Sequence, residues 1–455
     1  MSNFIVAERL TGYLLPPSVD DWLGQDHLAR FVVEVIDRLD LSNLTRMYAG
    51  RGSKAHHPAT LLCILVYGYS TGVFSSRRLE RATYDSVAFR FIAAGTHPDH
   101  DTLATFRRRF LPELSDLFMQ VLEMAKEMQM LKLGTVCLDG TKIHANASRH
   151  SALSHGHIVK LEAQLKQEVQ ELLALAEQAD GVNVPDGMDL PAEIARREDR
   201  LAAMDAAKSK IAARVAERDA REKAEFEERV AKRAAKELAT GKKPPGRPPK
   251  PPTPGARDND QVNLADEESR IMPVAGGGFE QAYNAQAAVD TKSMLVVATG
   301  ITQAPNDKQQ VEPMLATLQA QGATRGEVDC LIADTGYCSE HNVQACAALA
   351  IEPLICVARE SHHISYKERH HSEPAPLPPE STPMQSMVHR LKTKAGRASY
   401  ALRKQTVEPV FGIIKSVLGF RQFSLRGLAK VTGEWSLVCL AWNIKRMAVL
   451  RPKLG

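Results

Sequence analysis

TVCLDGTKI, residues 135–143, reads as a β-strand that carries an acid. Alternation puts Cys137, Asp139 and Thr141 on one face and Val136 and Leu138 on the other. An aspartate inside a strand is disfavoured, and burying its charge without a partner is costly. Asp139 is therefore either a turn residue before Gly140 or a functional carboxylate at the edge of a sheet. VDCLIADTGY, residues 328–337, repeats the theme: a nearly continuous apolar run, as in a central strand buried on both faces, ends at Asp334. Ser339 can cap the helix that follows, which leaves Asp334 itself without a local explanation. Strand ends are where open α/β sheets place their ligands.

A third acid, Glu408, lies in YALRKQTVEPVFGIIK, residues 400–415, on a helical stripe with Tyr400, Lys404, Phe411 and Lys415. A merely solvated Glu–Lys face would not need Tyr and Phe on the same side, and Pro409 is expected to kink or restart the helix. Three converging carboxylates would make an oxygen-only site for hard divalent cations such as Mg²⁺. Two ions held this way clamp the attacking and leaving oxygens of a phosphodiester exchange. Histidines pair at 56–57, 362–363 and 370–371, but adjacent side chains diverge and chelate one ion poorly.

At 455 residues, 44% hydrophobic and 25% charged, the chain is ordinary for a globular protein but too long for one core. The net charge of +4 is slight and unevenly spread. From Arg421 onward, Arg426, Lys430, Lys445, Arg446, Arg451 and Lys453 face one acid, Glu434. Such patches suit a polyanion. The seven cysteines form no CxxC pair, the habit of small buried hydrophobes in a reducing compartment. MSNFIVAERL lacks a secretory pattern and no apolar run reaches about 18 residues, so the expected location is the cytoplasm, without a membrane.

Residues 1–130 read as an all-α domain, including one long helix from near Asp101 towards Met130 that carries Arg107, Arg108 and Arg109. Residues 156–240 show apolar positions at threes and fours on either side of a Gly/Pro break, an antiparallel helical hairpin serving as a spacer or a dimer contact. GKKPPGRPPKPPTPG, residues 241–255, is a basic, extended linker whose Gly-Arg-Pro core around Arg247 resembles an AT-hook. From residue 271 the pattern is a strand hairpin, an αβαβ succession, a histidine-rich loop over 358–393 and two closing helices. The last helix, rich in Trp and aliphatic residues, is expected to pack inward and present Lys445, Arg446 and Arg451 to solvent.

Taken together, the chain resembles insertion-sequence transposases of the DDE class. The likeness rests on LLPPSVDDWLGQDHLARFVVEVIDRLDLS, HHPATLLCILVYGYSTGVFSSRRLE and PDHDTLATFRRRF, then on LDGTKIHANAS, ADTGYCSEHNV, YALRKQTVEPVFGIIK and GFRQFSLRGL. It implies an α/β catalytic domain similar to ribonuclease H, a mixed five-stranded sheet flanked by helices, formed by residues 131–155 and 261–425 around the inserted hairpin. Its catalytic and metal-binding acids would be Asp139, Asp334 and Glu408. The family's signature around the glutamate falls on Tyr400, Arg403, Glu408 and Lys415, but four residues separate Arg403 from Glu408 where the pattern has three; Lys404 holds the shorter spacing. Either base could be the phosphate contact. The resemblance further implies two Mg²⁺ ions, with Mn²⁺ as a substitute, strand cutting and transfer, and a homodimer on terminal inverted repeats and target DNA. Arg107–Arg109 and Arg247 would be additional DNA contacts. A transposase-derived DNA-binding protein that no longer cuts is the alternative.

Overall fold

The computed structural model describes residues 18–48, 55–178, 189–274, 276–320, 326–357 and 373–451. It divides into two compact units, residues 1–146 with 272–455, and residues 147–271. The first unit begins with helices α1 (Leu28–Asp37), α2 (Ser42–Arg46), α3 (Pro58–Thr71), α4 (Ser76–Asp85), α5 (Val87–Ile92), α6 (His100–Arg109) and α7 (Leu114–Glu127), then strand β1 (Thr135–His144). The second unit holds β2 (Ala152–Ser154), α8 (His155–Gln178), α9 (Leu190–Thr240) and β3 (Gln261–Asn263). A short strand, β4 (Arg270–Pro273), leads back into the first unit. There follow β5 (Phe279–Asp290), β6 (Val296–Thr302), α10 (Val311–Ala320), β7 (Cys330–Ala333), α11 (Glu340–Ala348) and β8 (Glu352–Ile355). Helices α12 (Pro383–Lys392), α13 (Lys394–Gly412) and α14 (Leu428–Leu450) close the chain.

The sheet has the mixed, helix-flanked form expected, with strand order β6–β5–β1–β7–β8 and β4 as a sixth strand also paired to β5. β5 runs antiparallel to β1 and β6, whereas β1, β7 and β8 are parallel. β1 therefore lies in the middle, and its Val136, Cys137, Leu138 and Ile143 are fully buried. The single helix expected over about 101–130 is two helices, because Pro112 cannot continue α6 and the chain restarts at Leu114. Within 358–393, expected as loop, residues 383–392 form α12. Thr382 and Gln385 make a capping box around Pro383 at the first helical position, a start signal hidden by the histidine- and proline-rich composition. Residues 358–372, including His362, His363, His370 and His371, lie outside the described residues.

The N-terminal helices do not stand apart from the sheet; they share a core with it through α14. Trp435 donates its indole N–H to the Gln286 carbonyl at 3.0 Å, and Trp442 donates to the Met294 carbonyl at 2.9 Å. Asn443 receives the Val296 N–H and donates to the Val296 carbonyl, both at 2.8 Å, which satisfies the backbone of β6 at its irregular start. On its other side α14 meets α3, an apolar helix started by Pro58 and buried on nearly all faces. Among the described residues no single helix is long and apolar enough to cross a membrane. The basic residues at the end of α14 are not turned outward as expected. Lys445 donates to the Ser70 carbonyl, Arg446 to the Ser293 carbonyl, and Arg451 pairs with Asp26 while lying over the Phe31 ring. Each carries its charge to a peptide oxygen or an acid of the same unit.

In the second unit, α8 and α9 pack their stripes together: Ile158 and Leu165 meet Met204, Ala207, Ile211 and Val215, with Val262 of β3 beneath. The proline-rich stretch is not a free linker. Arg233 of α9 donates to the carbonyls of Pro244 and Gly246, and Arg218 donates to Gly255, so it folds back along the helix. Arg247 stays exposed.

Arg107 departs most from the sequence reading. It is only 8% exposed, and its guanidinium donates to Tyr69 Oη and to the Phe74 carbonyl, both at 3.0 Å. Tyr69 in turn donates to Glu434 of α14, which is fully buried and also receives the N–H groups of Ser424 and Leu425. Arg107 is thus a counter-charge for Glu434 and cannot reach DNA. Arg109 donates to the Met47 carbonyl, and Arg108 remains exposed. Arg107→Ala is expected to cost about 3 kcal/mol, since removing one member of a buried charged pair strands the other. Chemical denaturation measures this; a variant that melts like the parent and only loses DNA affinity would return Arg107 to the DNA surface.

Candidate active site

Asp139 lies in β1, with Gly140 inside the strand rather than in a turn. β7 ends at Ala333, and Asp334 caps the single 3-10 turn Thr335–Tyr337 by accepting the Gly336 N–H at 2.8 Å. Helix α13 crosses the same edge, burying Thr406, Val407, Val410 and Phe411. It runs through Pro409, which has no N–H to donate, and passes at Ile413–Val417 into a π turn.

The three acids converge on one guanidinium. Arg403 Nη2 lies 3.6 Å from Asp139 and 3.8 Å from Asp334, while Nη1 bonds Glu408 at 2.5 Å. Arg403 and Asp139 are 15% and 16% exposed, Glu408 48%. Burial pushes the Asp139 carboxyl up to about 7; Arg403 and the Gly140 N–H oppose this, and Asp334 and Asp307 add to it. Burial alone would lower the ionisation of Arg403, but Asp139 and its other neighbours raise it. In this arrangement Arg403 meets the acids, whereas Lys404 is exposed. Lys404 lines, with Thr335, Arg397, Tyr400 and Arg403, a cavity of about 890 Å³ that opens beside Asp334. Lys415 Nζ donates to Thr141 Oγ1 at 3.0 Å and to the Lys142 carbonyl at 3.3 Å, two and three residues along β1 from Asp139. Burial, with Arg421 and Lys142 nearby, lowers its pKa.

A fourth carboxylate, Asp307, was not singled out from the sequence. It lies in the loop between β6 and α10, accepts Nδ2 of Asn284 and Nε2 of Gln286 at 2.7 Å each, and stands 3.7 Å from Lys142 Nζ. The available signal was in β5, where Asn284 and Gln286 share one face of a strand that is buried from Gln281 to Asp290. Buried amides require partners.

Carboxylate oxygens around one positive centre are a donor set that suits a hard divalent cation. As placed, no three His, Cys, Asp or Glu side chains among the described residues are grouped tightly enough to hold an ion, because the guanidinium occupies the space between the acids.

The family model for a transposase domain (DUF772) matches residues 17–109, and the model for a transposase DDE domain matches residues 360–448, which include Arg403, Glu408 and most of α14. The two matches support an insertion-sequence DDE transposase. Its DDE domain indicates a polynucleotidyl transferase, and the family implies DNA as the partner. No curated protein and no solved structure matches it. Neither family match spans Asp139 or Asp334, so their connection with Glu408 rests on the geometry around Arg403.

If Arg403 balances Asp139, the two substitutions must interact. Arg403→Ala alone is expected to destabilise by about 2 kcal/mol, the scale of a hydrogen-bonded charge left unmatched. In an Asp139→Asn background the same change should cost less than half as much. Urea unfolding of the four proteins measures the coupling; strict additivity would mean that Asp139 does not depend on this guanidinium.

Proposed function

We propose that the transposase cuts DNA at the ends of its element and joins those ends to target DNA, with Asp139, Asp334 and Glu408 holding two Mg²⁺ ions. The observation that carries this reading is the meeting of three acids, from β1, the end of β7 and α13, at one cation beside a basic cavity. When bound, the ions supply positive charge to the attacking and leaving oxygens of the phosphodiester. Asp139, central and least exposed of the three, would hold the ions together with Asp334 and Glu408. Arg403, with Tyr400 and Lys404, would then be free to turn towards the phosphates along the cavity. Lys415 holds the DNA strand near the β1 end of the site. No nucleotide cofactor is needed, since one phosphodiester is exchanged for another. Two element ends call for two such sites, so the working form in this reading is a homodimer on DNA, with one protomer at each end.

Asp139→Asn should abolish strand cutting in Mg²⁺ on labelled element ends while leaving end binding close to that of the parent. It keeps shape and removes the charge that attracts the cations. Glu408→Gln should do the same. Cutting by Asp139→Asn would remove the two-ion reading; loss of binding together with cutting would give the carboxylate a structural role instead.

The exposed bases of the proline-rich stretch serve the same partner. Replacing Lys242, Lys243, Arg247 and Lys250 by Ser should weaken binding to all sequences alike. The dependence of log K on log salt should flatten by about 0.9 for each phosphate no longer neutralised. Weakening confined to A·T-rich sites would show minor-groove reading by Arg247 instead.

A further inference from the structure

The residue after Asp139 has to be glycine for a reason that leads away from the three acids. A Cβ at Gly140 would lie 2.3 Å from Gln286 Nε2, 2.7 Å from Asp307 Oδ1 and 2.8 Å from Asn284 Oδ1. Three polar groups thus fill the place of a side chain on the strand that carries Asp139, a close approach that only glycine permits. They form one network. Gln286 Nε2 donates to Asp307 and to Asn284 Oδ1 at 2.7 and 3.0 Å, and Asn284 Nδ2 donates to Asp307 and to the Ala304 carbonyl. Gln286 Oε1 accepts the hydroxyl of Tyr337, the last residue of the turn that Asp334 begins. A second tie runs in parallel. Asn342 Nδ2 donates to the Tyr337 carbonyl and to the Lys308 carbonyl, both at 2.7 Å. Asn284, Gln286, Tyr337 and Asn342 are each at most 1% exposed.

We infer that Asp307 is a positioning residue for the catalytic acids, acting through Gln286 and Tyr337 to fix the Asp334 turn against the strand that carries Asp139. The inference rests on the two-ion reading of those acids. Asp307 supplies the one full negative charge in the network, and both amides aim their N–H groups at the same oxygen. That fixes which way each amide faces. Gln286 must then present Oε1 to Tyr337, and the tyrosine hydroxyl has one acceptor and one orientation. Without the charge at Asp307 either amide can flip, the Tyr337 hydrogen bond is no longer held in place, and the turn is free to shift. Two ions about 4 Å apart tolerate little displacement of a shared set of ligands. The network is therefore to the carboxylates what a partner hydrogen bond is to a metal-binding histidine.

Asp307→Asn and Tyr337→Phe, each near in shape to the parent residue, test this in the full-length protein bound to element-end DNA. Both should bind Mn²⁺, followed by electron paramagnetic resonance, about tenfold more weakly, the usual cost of losing a supporting partner. The Mg²⁺ concentration needed for half-maximal cutting should rise in step, while DNA affinity is kept. Leu122→Ala in α7, buried and far in sequence from the network, serves as a control for general destabilisation. Unchanged Mn²⁺ affinity in both variants would overturn the inference, as would an equal loss in the control. Asp139→Asn, run alongside, separates the two claims. If it still cuts, the two-ion reading falls and takes this inference with it. If it is inactive and Asp307→Asn binds Mn²⁺ as the parent does, only the role of Asp307 is lost.

Discussion

Negative charge removed from water needs positive charge close by, and that requirement governs how the edge of this sheet is built. Asp139 lies in the central strand, where burial pushes its carboxyl up to about 7. Arg403 opposes this rise, and it is held there because α13 lays Val407, Val410 and Phe411 against the core. The apolar side of that helix therefore sets the electrostatics of its polar side. Arg403 and Glu408 are five residues apart, not at the four-residue spacing of ordinary helical pairs, and the long arginine side chain spans the difference.

Glu434 meets the same requirement elsewhere, and the answer is again an arginine of the kind a DNA-binding chain displays on its surface. Its carboxylate caps the backbone of Ser424 and Leu425, fixing the chain between α13 and α14, and through Tyr69 it reaches Arg107 on α6. One buried acid thus links the helices of residues 17–109 to the DDE-domain segment of residues 360–448, the two stretches that match separate family models. Two arginines that the sequence offers as DNA contacts, Arg107 and Arg403, are counter-charges inside the first unit. Cations that are candidates for phosphate contacts in this form of the protein are the exposed ones, Arg108, Lys404 and Arg247 among them.

What could be read from the chain was what periodicity encodes. Acids at the ends of apolar runs, the β5–β6 hairpin and the paired stripes of α8 and α9 follow from local pattern, and the structure has each of these elements. The burial of Arg107 does not follow from pattern. Three consecutive arginines spread around a helix, and only packing against α3 and α14 decides which one turns inward. Asp307 was hidden for a related reason. Its partners, Asn284 and Gln286, precede it by 23 and 21 residues and belong to another element. Two amides on one face of a buried strand announce that a polar partner exists, but not where it is. Pro112 and the Thr382 capping box were visible and were outweighed by longer apolar or loop-like composition around them.

The strand that needs the most exact placement, β1, is followed at once by the longest excursion of the chain, 125 residues (271 − 146) before the first unit resumes. Loop-closure entropy grows only with the logarithm of length, so the excursion itself costs little. What would matter is motion transmitted from a 51-residue helix to the pairing of β1 with β5. The second unit limits this at its base. β2 and β3 pair antiparallel from Ala152–Asn263 to Ser154–Gln261, and the N–H groups of His155 and Gly156 bond the carbonyls of Asp260 and Asp258. These hydrogen bonds bring the outgoing and returning chains together within a few residues of where they leave the first unit. In the first unit β1 and β5 pair in register from His144–Ala282 to Val136–Asp290, with Asp139 opposite Ala287.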